Sequence, residues 1–196
     1  AVRRGPLEGT LLDATAEPEF ITALLAKIQA GADAGKDGQR LEFRPTKAFG
    51  EAPAPEVKAI NAIEREQSNS TVIADNRYVI KVLRRITPGV HPEIEVGRFL
   101  ADVANFQNAP ALLGTMELVE GESRSALAVV HAFIENQGDA WSVTGASLDR
   151  LIDEQRLLPT GEVTETSETG SLLQRLRQIG KRTAEMHLAF ASRSDI

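Results

Sequence analysis

Cysteine is absent from the 196 residues. That excludes disulfides and thiolate metal sites, and it fits a reducing compartment such as the cytoplasm. Aromatic residues make up only 5%, with one tryptophan and one tyrosine, so the interleaved basic and aromatic residues of a nucleic-acid module are missing. Positive charge is outnumbered, 22 Lys and Arg against 28 Asp and Glu, for a net charge of −6. Such a surface repels phosphate backbones, which argues against nucleic acid as a partner. No uninterrupted apolar run approaches the roughly 18 residues of a membrane-spanning helix, and no signal peptide stands at the start. The three histidines, His91, His131 and His187, lack metal-ligand spacing. No internal repeat of about 20 to 50 residues is found.

What is present is an ordinary globular balance, 42% apolar and 26% charged, enough for one domain or for a small domain plus a lobe. The chain opens on Ala1 and closes on Ser194-Asp195-Ile196, and both ends read as cut from something longer. Pro18 opens a helix, and Phe20, Ile21, Leu24, Leu25 and Ile28 recur at helical spacing up to a stop at Gly31. Residues 31–40, with three glycines, read as a flexible loop. Leu41 to Arg44 alternates like a strand, and so does Val57 to Ile63.

The stretch from Glu66 to Arg85 organises the rest. Asp75-Asn76 tolerates the left-handed backbone of a tight hairpin turn. Val79, Lys81 and Leu83 then share one strand face, and Tyr78, Ile80 and Val82 the other. A lysine flanked by core-type residues needs a partner or an anionic ligand; the plainer alternative is a lysine that snorkels from a sheet edge. The polar segment Gln67-Ser68-Asn69-Ser70-Thr71 can offer hydroxyls, amides and backbone N–H groups to phosphate, or be an ordinary polar turn. After it, Pro92 opens a helix with acidic residues in its first turn. Val96, Phe99, Leu100 and Val103 form its apolar stripe, flanked by Glu93 and Glu95.

Further on, Ala111 to Val119 and the almost wholly apolar Ala126 to Ile134 read as strands, the latter covered on both faces. His131 reads as a hydrogen-bonded interior histidine. Asp139 is a candidate helix cap, and Trp141 a packing residue. Ser147 is expected to cap a helix ended by Pro159, and residues 159–170 to form a mobile loop. The last helix, from Ser171, carries Leu172, Leu173, Leu176, Ile179, Thr183, Met186 and Phe190 as one buried stripe, with His187 on the same face.

The sequences EQSNST and YVIKVLRRITPGVHPEIEVGRFL resemble the maltokinase family, bacterial sugar kinases of protein-kinase-like fold that are often fused to trehalose synthase. RTAEMHLAFAS resembles the helix that precedes the catalytic loop in that family. The resemblance runs from about Ile63 to the C-terminus and extends more weakly over the N-terminal third, where the family carries a cap. It implies an α+β fold: a cap over 1–62, then over 63–196 a kinase-like small lobe of about five antiparallel strands with one αC-type helix, and a long C-terminal helix. It implies ATP and Mg2+ as cofactors, and maltose, converted to maltose 1-phosphate, as substrate. The implied nucleotide-binding residues are Gln67, Ser68, Asn69, Ser70, Thr71, Lys81, Glu95, Phe133, Ile134 and Glu135. Glu95 would pair with Lys81, with Glu93 as runner-up, and Lys81 would hold the α- and β-phosphates. Phe133 to Glu135 would line the adenine pocket. The catalytic base and metal-binding aspartate of such an enzyme are not found in this chain, so neither a catalytic residue nor a metal ligand is expected within it. Taken alone, the chain is expected to be inactive. A different acceptor such as glucosamine, or a non-catalytic module docking trehalose synthase, are the alternatives.

Overall fold

A computed structural model describes residues 2–36, 38–50, 53, 55–63, 69–157 and 167–193. The chain separates into two compact units, Ala1–Ile134 and Glu135–Ile196. The first begins with a small hairpin, β1 (Val2–Arg4) and β2 (Leu7–Gly9), and continues with a 3-10 turn and helix α1 (Pro18–Gln29). Proline stands at the start of α1, Glu19 lies in its first turn and Lys27 in its last, each favourable to the helix dipole. The helix stops where Gly31 takes φ 61°. There Gly31 N–H donates to Ile28 O and Ala32 N–H to Lys27 O, a Schellman end that needs a left-handed residue.

Strands β3 (Asp33–Lys36) and β4 (Gln39–Pro45) follow, then a single turn of helix, α2 (Lys47–Gly50), and strands β5 (Ile60–Ile63), β6 (Asn69–Ala74) and β7 (Tyr78–Leu83). Helix α3 (Pro92–Arg98) runs directly into a π-helical turn over Phe99–Val103. Strands β8 (Leu112–Glu120) and β9 (Ser123–Ala132) complete the unit. The sheet order is β3-β4-β8-β9-β7-β6-β5, and every neighbouring pair is antiparallel. The α+β class is as expected. The sheet has seven strands rather than about five, because β4, from the expected cap, pairs with β8 and carries β3 on its other edge. Residues 33–36, expected to be a loop, are a strand.

Alternation along β7 sorts its residues onto two cores. Tyr78 and Ile80 enter the larger one, with Ile21, Leu24, Leu25 and Ile28 of α1 and with Phe43, Phe49, Val72 and Val130. Each fully buried aliphatic side chain contributes about 1.5–3 kcal/mol, so α1 is fastened to this face by four such contacts. Leu83 points to the other face and clusters with Ile94, Leu112, Ala126 and Val129. The turn between β6 and β7 is as expected: Asp75 and Asn76 both have φ 50°, and Arg77 N–H donates to Ala74 O at 2.9 Å.

The second unit consists of α4 (Ala140–Arg156) and α5 (Ser167–Ala191). Asp139 caps α4, its carboxylate accepting from Ser142 N–H at 2.7 Å. Ser147 is not a cap. It lies inside α4, fully buried, and its hydroxyl accepts from Arg150 and Arg175. Trp141 is 89% exposed rather than packed. The expected buried stripe of α5 is exposed at Leu173, Leu176 and Ile179, and His187 is exposed too. α4 is the element of its own unit that packs against it. Most of the expected loop over 159–170 lies outside the described residues. Among the described residues, no helix is long and apolar enough to cross a membrane.

Candidate phosphate-binding site

Lys81 lies in the middle of β7, opposite Thr71 of β6 and Val129 of β9. Thr71 and Val129 are buried, so the lysine stem is packed, yet its side chain remains 28% exposed. The ammonium is therefore neither sealed in the core nor free in water. Its Nζ donates to Glu93 Oε1 at 3.0 Å. The same oxygen lies 2.9 Å from Nε2 of His131, which β9 places opposite Val79. One carboxylate oxygen thus joins α3 to two strands.

The electrostatics follow from this geometry. The hydrogen bond from His131, then the hydrogen bond and charge of Lys81, hold the Glu93 carboxyl down at about 2 against the opposing effect of burial. Glu93 is ionised at neutral pH, and the Lys81 charge is locally balanced. Glu93 also lies in the first turn of α3, where the helix dipole favours a negative group. The other end of α3 is held separately: Arg98 donates to Thr115 Oγ1 of β8 at 3.0 Å.

A second ionic group lies on β4 and β8. Glu42 and Glu117 are direct cross-strand neighbours, both buried. Arg40, Arg44 and Arg124 surround Glu42, and Arg124 also reaches Glu117 at 3.2 Å. The hydrogen bond from Arg40 is the largest influence lowering the Glu42 carboxyl. These charges neutralise one another and fix the register of two adjacent strands.

The expected site residues fall as follows. Lys81 is central. Glu95 is exposed, and the ion pair with Lys81 is made by Glu93, the expected runner-up. The physical reason is that Ile94, Phe99 and Leu100 are the buried side chains of this segment while Val96 and Val103 are exposed. Ile94 packs with Leu83, Leu112 and Val129 and Gly97 lies close against Leu112, so this side of α3 faces the sheet and Glu93 reaches Lys81. Asn69, Ser70 and Thr71 are the first residues of β6, opposite Leu83, Val82 and Lys81, and Ser70 Oγ accepts from Arg84 at 3.1 Å. Gln67 and Ser68 lie outside the described residues. Phe133 follows β9, its N–H donating to Arg77 O at 2.9 Å, while Ile134 and Glu135 are exposed. His131 was expected to be interior and hydrogen-bonded; its link to Glu93 was not foreseen. The signal in the sequence is that His131 lies two residues from Val129 on one strand face, but only the register between β7 and β9 puts that face beside Lys81.

Nucleotide phosphate fits the donor set, a half-exposed cation held in place by a carboxylate. The metal is different: among the described residues, no group of three or more His, Asp or Glu side chains could hold a metal ion.

No family model matches the chain. A curated glucosamine kinase from Streptacidiphilus jiangxiensis is 30% identical over 130 residues, 65% of this chain and 27% of that protein. The chain therefore spans about a quarter of that relative's length. A solved glucosamine kinase in complex with glucosamine, ADP and inorganic phosphate superposes with a TM-score of 0.59 at 23% identity, over 90% of this chain and 37% of that one. A second crystal form of glucosamine kinase gives 0.59 at 24% identity, over 89% of this chain and 37% of that one. These relatives are glucosamine kinases, and they lend no support to the narrower likeness to maltokinases. They show that this chain has the fold found over roughly a third of a glucosamine kinase.

Proposed function

We propose that the chain supplies the nucleotide-holding part of an ATP-dependent sugar kinase whose acceptor is a small sugar of the glucosamine type. One observation carries this reading: the ion pair from Lys81 Nζ to Glu93 Oε1, 3.0 Å long, between a central strand and the following helix. Phosphoryl transfer is catalysed largely by positioning and by neutralising charge on the phosphate oxygens. A lysine anchored by a carboxylate meets that need, because its ammonium is already oriented and retains two N–H donors for phosphate. Mg2+ would neutralise the remaining phosphate charge; no step is assigned to it from the residues described. In this reading the 196-residue chain contributes binding rather than the whole of catalysis.

The acceptor follows the relatives. The named kinases act on glucosamine, and this favours an amino sugar over the maltose that the sequence resemblance implied. The test measures ADP release from ATP by the polypeptide that the natural reading frame encodes, with glucosamine, maltose and glucose supplied in parallel. Turnover is expected with glucosamine, and a loss of at least about a hundredfold in kcat/KM with Lys81→Ala, as for removal of one electrostatic group at a reacting phosphate. The 196-residue chain alone should give no turnover. Absence of ATP binding together with indifference to Lys81→Ala would instead fit a docking module, for which trehalose synthase is the partner to try.

A further inference from the structure

We propose that His131 is a positioning residue for the phosphate clamp, holding the Glu93 carboxylate from β9 so that it keeps its place when the Lys81 ammonium is drawn toward nucleotide phosphate. The inference rests on the reading of Lys81 as that clamp.

Three observations carry it. Lys81 Nζ and His131 Nε2 converge on the same oxygen, Glu93 Oε1, at 3.0 and 2.9 Å. The two donors come from adjacent central strands in fixed register, Lys81 opposite Val129 and His131 opposite Val79. And the first turn of α3 has no side-chain cap, since its N-cap, His91, makes no side-chain hydrogen bond. That turn draws its order from tertiary contacts: Ile94 is buried in the smaller core, and Glu93 is its polar tether to the sheet.

The histidine has features of a fixed hydrogen-bond donor. Its side chain is 15% exposed, and Nδ1 is buried with no partner among the described residues. With a proton on Nε2 the ring donates to the carboxylate. With a phosphate bound, the Lys81 charge is shared between Glu93 and the ligand. Without His131, the carboxylate would be left with a weakened partner, and the start of α3 with it.

Nucleotide affinity, measured calorimetrically with ADP on the polypeptide of the natural reading frame, tests this. His131→Leu keeps bulk and removes the donor; His131→Gln places an amide nitrogen near the position of Nε2. The leucine variant is expected to bind about tenfold more weakly, the scale of one hydrogen bond to a charged group. The glutamine variant should return to within about twofold of wild type, by the same reasoning. A merely structural histidine would not be rescued by glutamine, so equal losses in both variants overturn the inference, as does wild-type affinity in the leucine variant. If Lys81→Ala abolishes binding while His131→Leu leaves it intact, this inference falls and the clamp stands. If Lys81→Ala binds as wild type, the clamp itself falls and takes this inference with it. Should the leucine variant misfold, the imidazole 15N spectrum of the wild-type protein decides. A proton on Nε2 with slow solvent exchange is expected; an Nε2 that carries no proton overturns the proposal.

Discussion

Replacing Glu93 with glutamine removes one charge and keeps the shape, so its effect on the stability of the first unit can be worked out in advance. The carboxyl titrates at about 2 in the folded chain against an ordinary 4.5. At 1.36 kcal/mol per pH unit that difference corresponds to roughly 3 kcal/mol, and solvent screening at a half-buried site reduces it to about 1–2 kcal/mol. The sign follows from the depressed value. Glu93 contributes its full stabilisation above about pH 4.5 and loses it as the pH falls toward 2, where the folded group also takes up its proton. The gap between wild type and Glu93→Gln should therefore be about 1–2 kcal/mol at pH 7 and close between about pH 4.5 and 2. Taking the difference between the two proteins cancels the contribution of the other carboxylates. Tryptophan fluorescence is the wrong probe, since Trp141 lies in the other unit and is exposed. Native-state amide hydrogen exchange at Ile80, Val82 and Val130 reports on the strands concerned. A gap that stays constant down to pH 2.5, or equal protection at pH 7, would refute the reasoning.

Substitutions at three further positions follow from the packing. Asp75 accepts from the N–H groups of Lys58 and Ala59 with its side chain, at 3.1 and 2.7 Å, so Asp75→Ala should cost about 1–3 kcal/mol in urea unfolding and Asp75→Asn markedly less. At Gly114 a Cβ would come within 2.3 Å of Ile28 Cγ2 and 2.7 Å of Arg44 O; Gly114→Ala should lower stability by about 1–3 kcal/mol, whereas Gly145→Ala, in open space on α4, should raise it by about 0.5–1 kcal/mol, both read from thermal melting.

Elements whose order comes from local physics were legible in the sequence. The turn at Asp75-Asn76, the two faces of β7 and the extent of α1 all rest on alternation, helical spacing or a left-handed residue, and the structure has them. Elements made by distant pairing were not. Strand β3 carries no apolar alternation because it is an edge strand with little to bury, and its glycines read as a loop. Yet Gly35 is needed where the hairpin backbones meet, since a Cβ there would come within 2.3 Å of Gln39 O. The periodicity of α5 was taken as burial, but periodicity states only which residues share a side of a helix. Whether anything covers that side is a fact about other parts of a protein. Glu93 and Glu95 both flank the expected stripe, and only the packing of Ile94 and Gly97 against the sheet shows which of them reaches Lys81.

The Lys81–Glu93–His131 group has a consequence that a surface ion pair would lack. A strand lysine flanked by Val79 and Leu83 has few places to send its charge, and β-pairing to Thr71 and Val129 removes most of them. The remaining direction leads to the first turn of α3, which has no side-chain cap. The contact that orients the ammonium thus also helps to seat the helix, beside the buried Ile94. If Lys81 is the proposed clamp, damage to Glu93 should weaken nucleotide binding and α3 together, while damage to Lys81 should spare the helix as long as His131 still holds the carboxylate. Separating those two effects, by exchange protection at α3 alongside affinity, is what distinguishes a clamp from an ordinary buried ion pair.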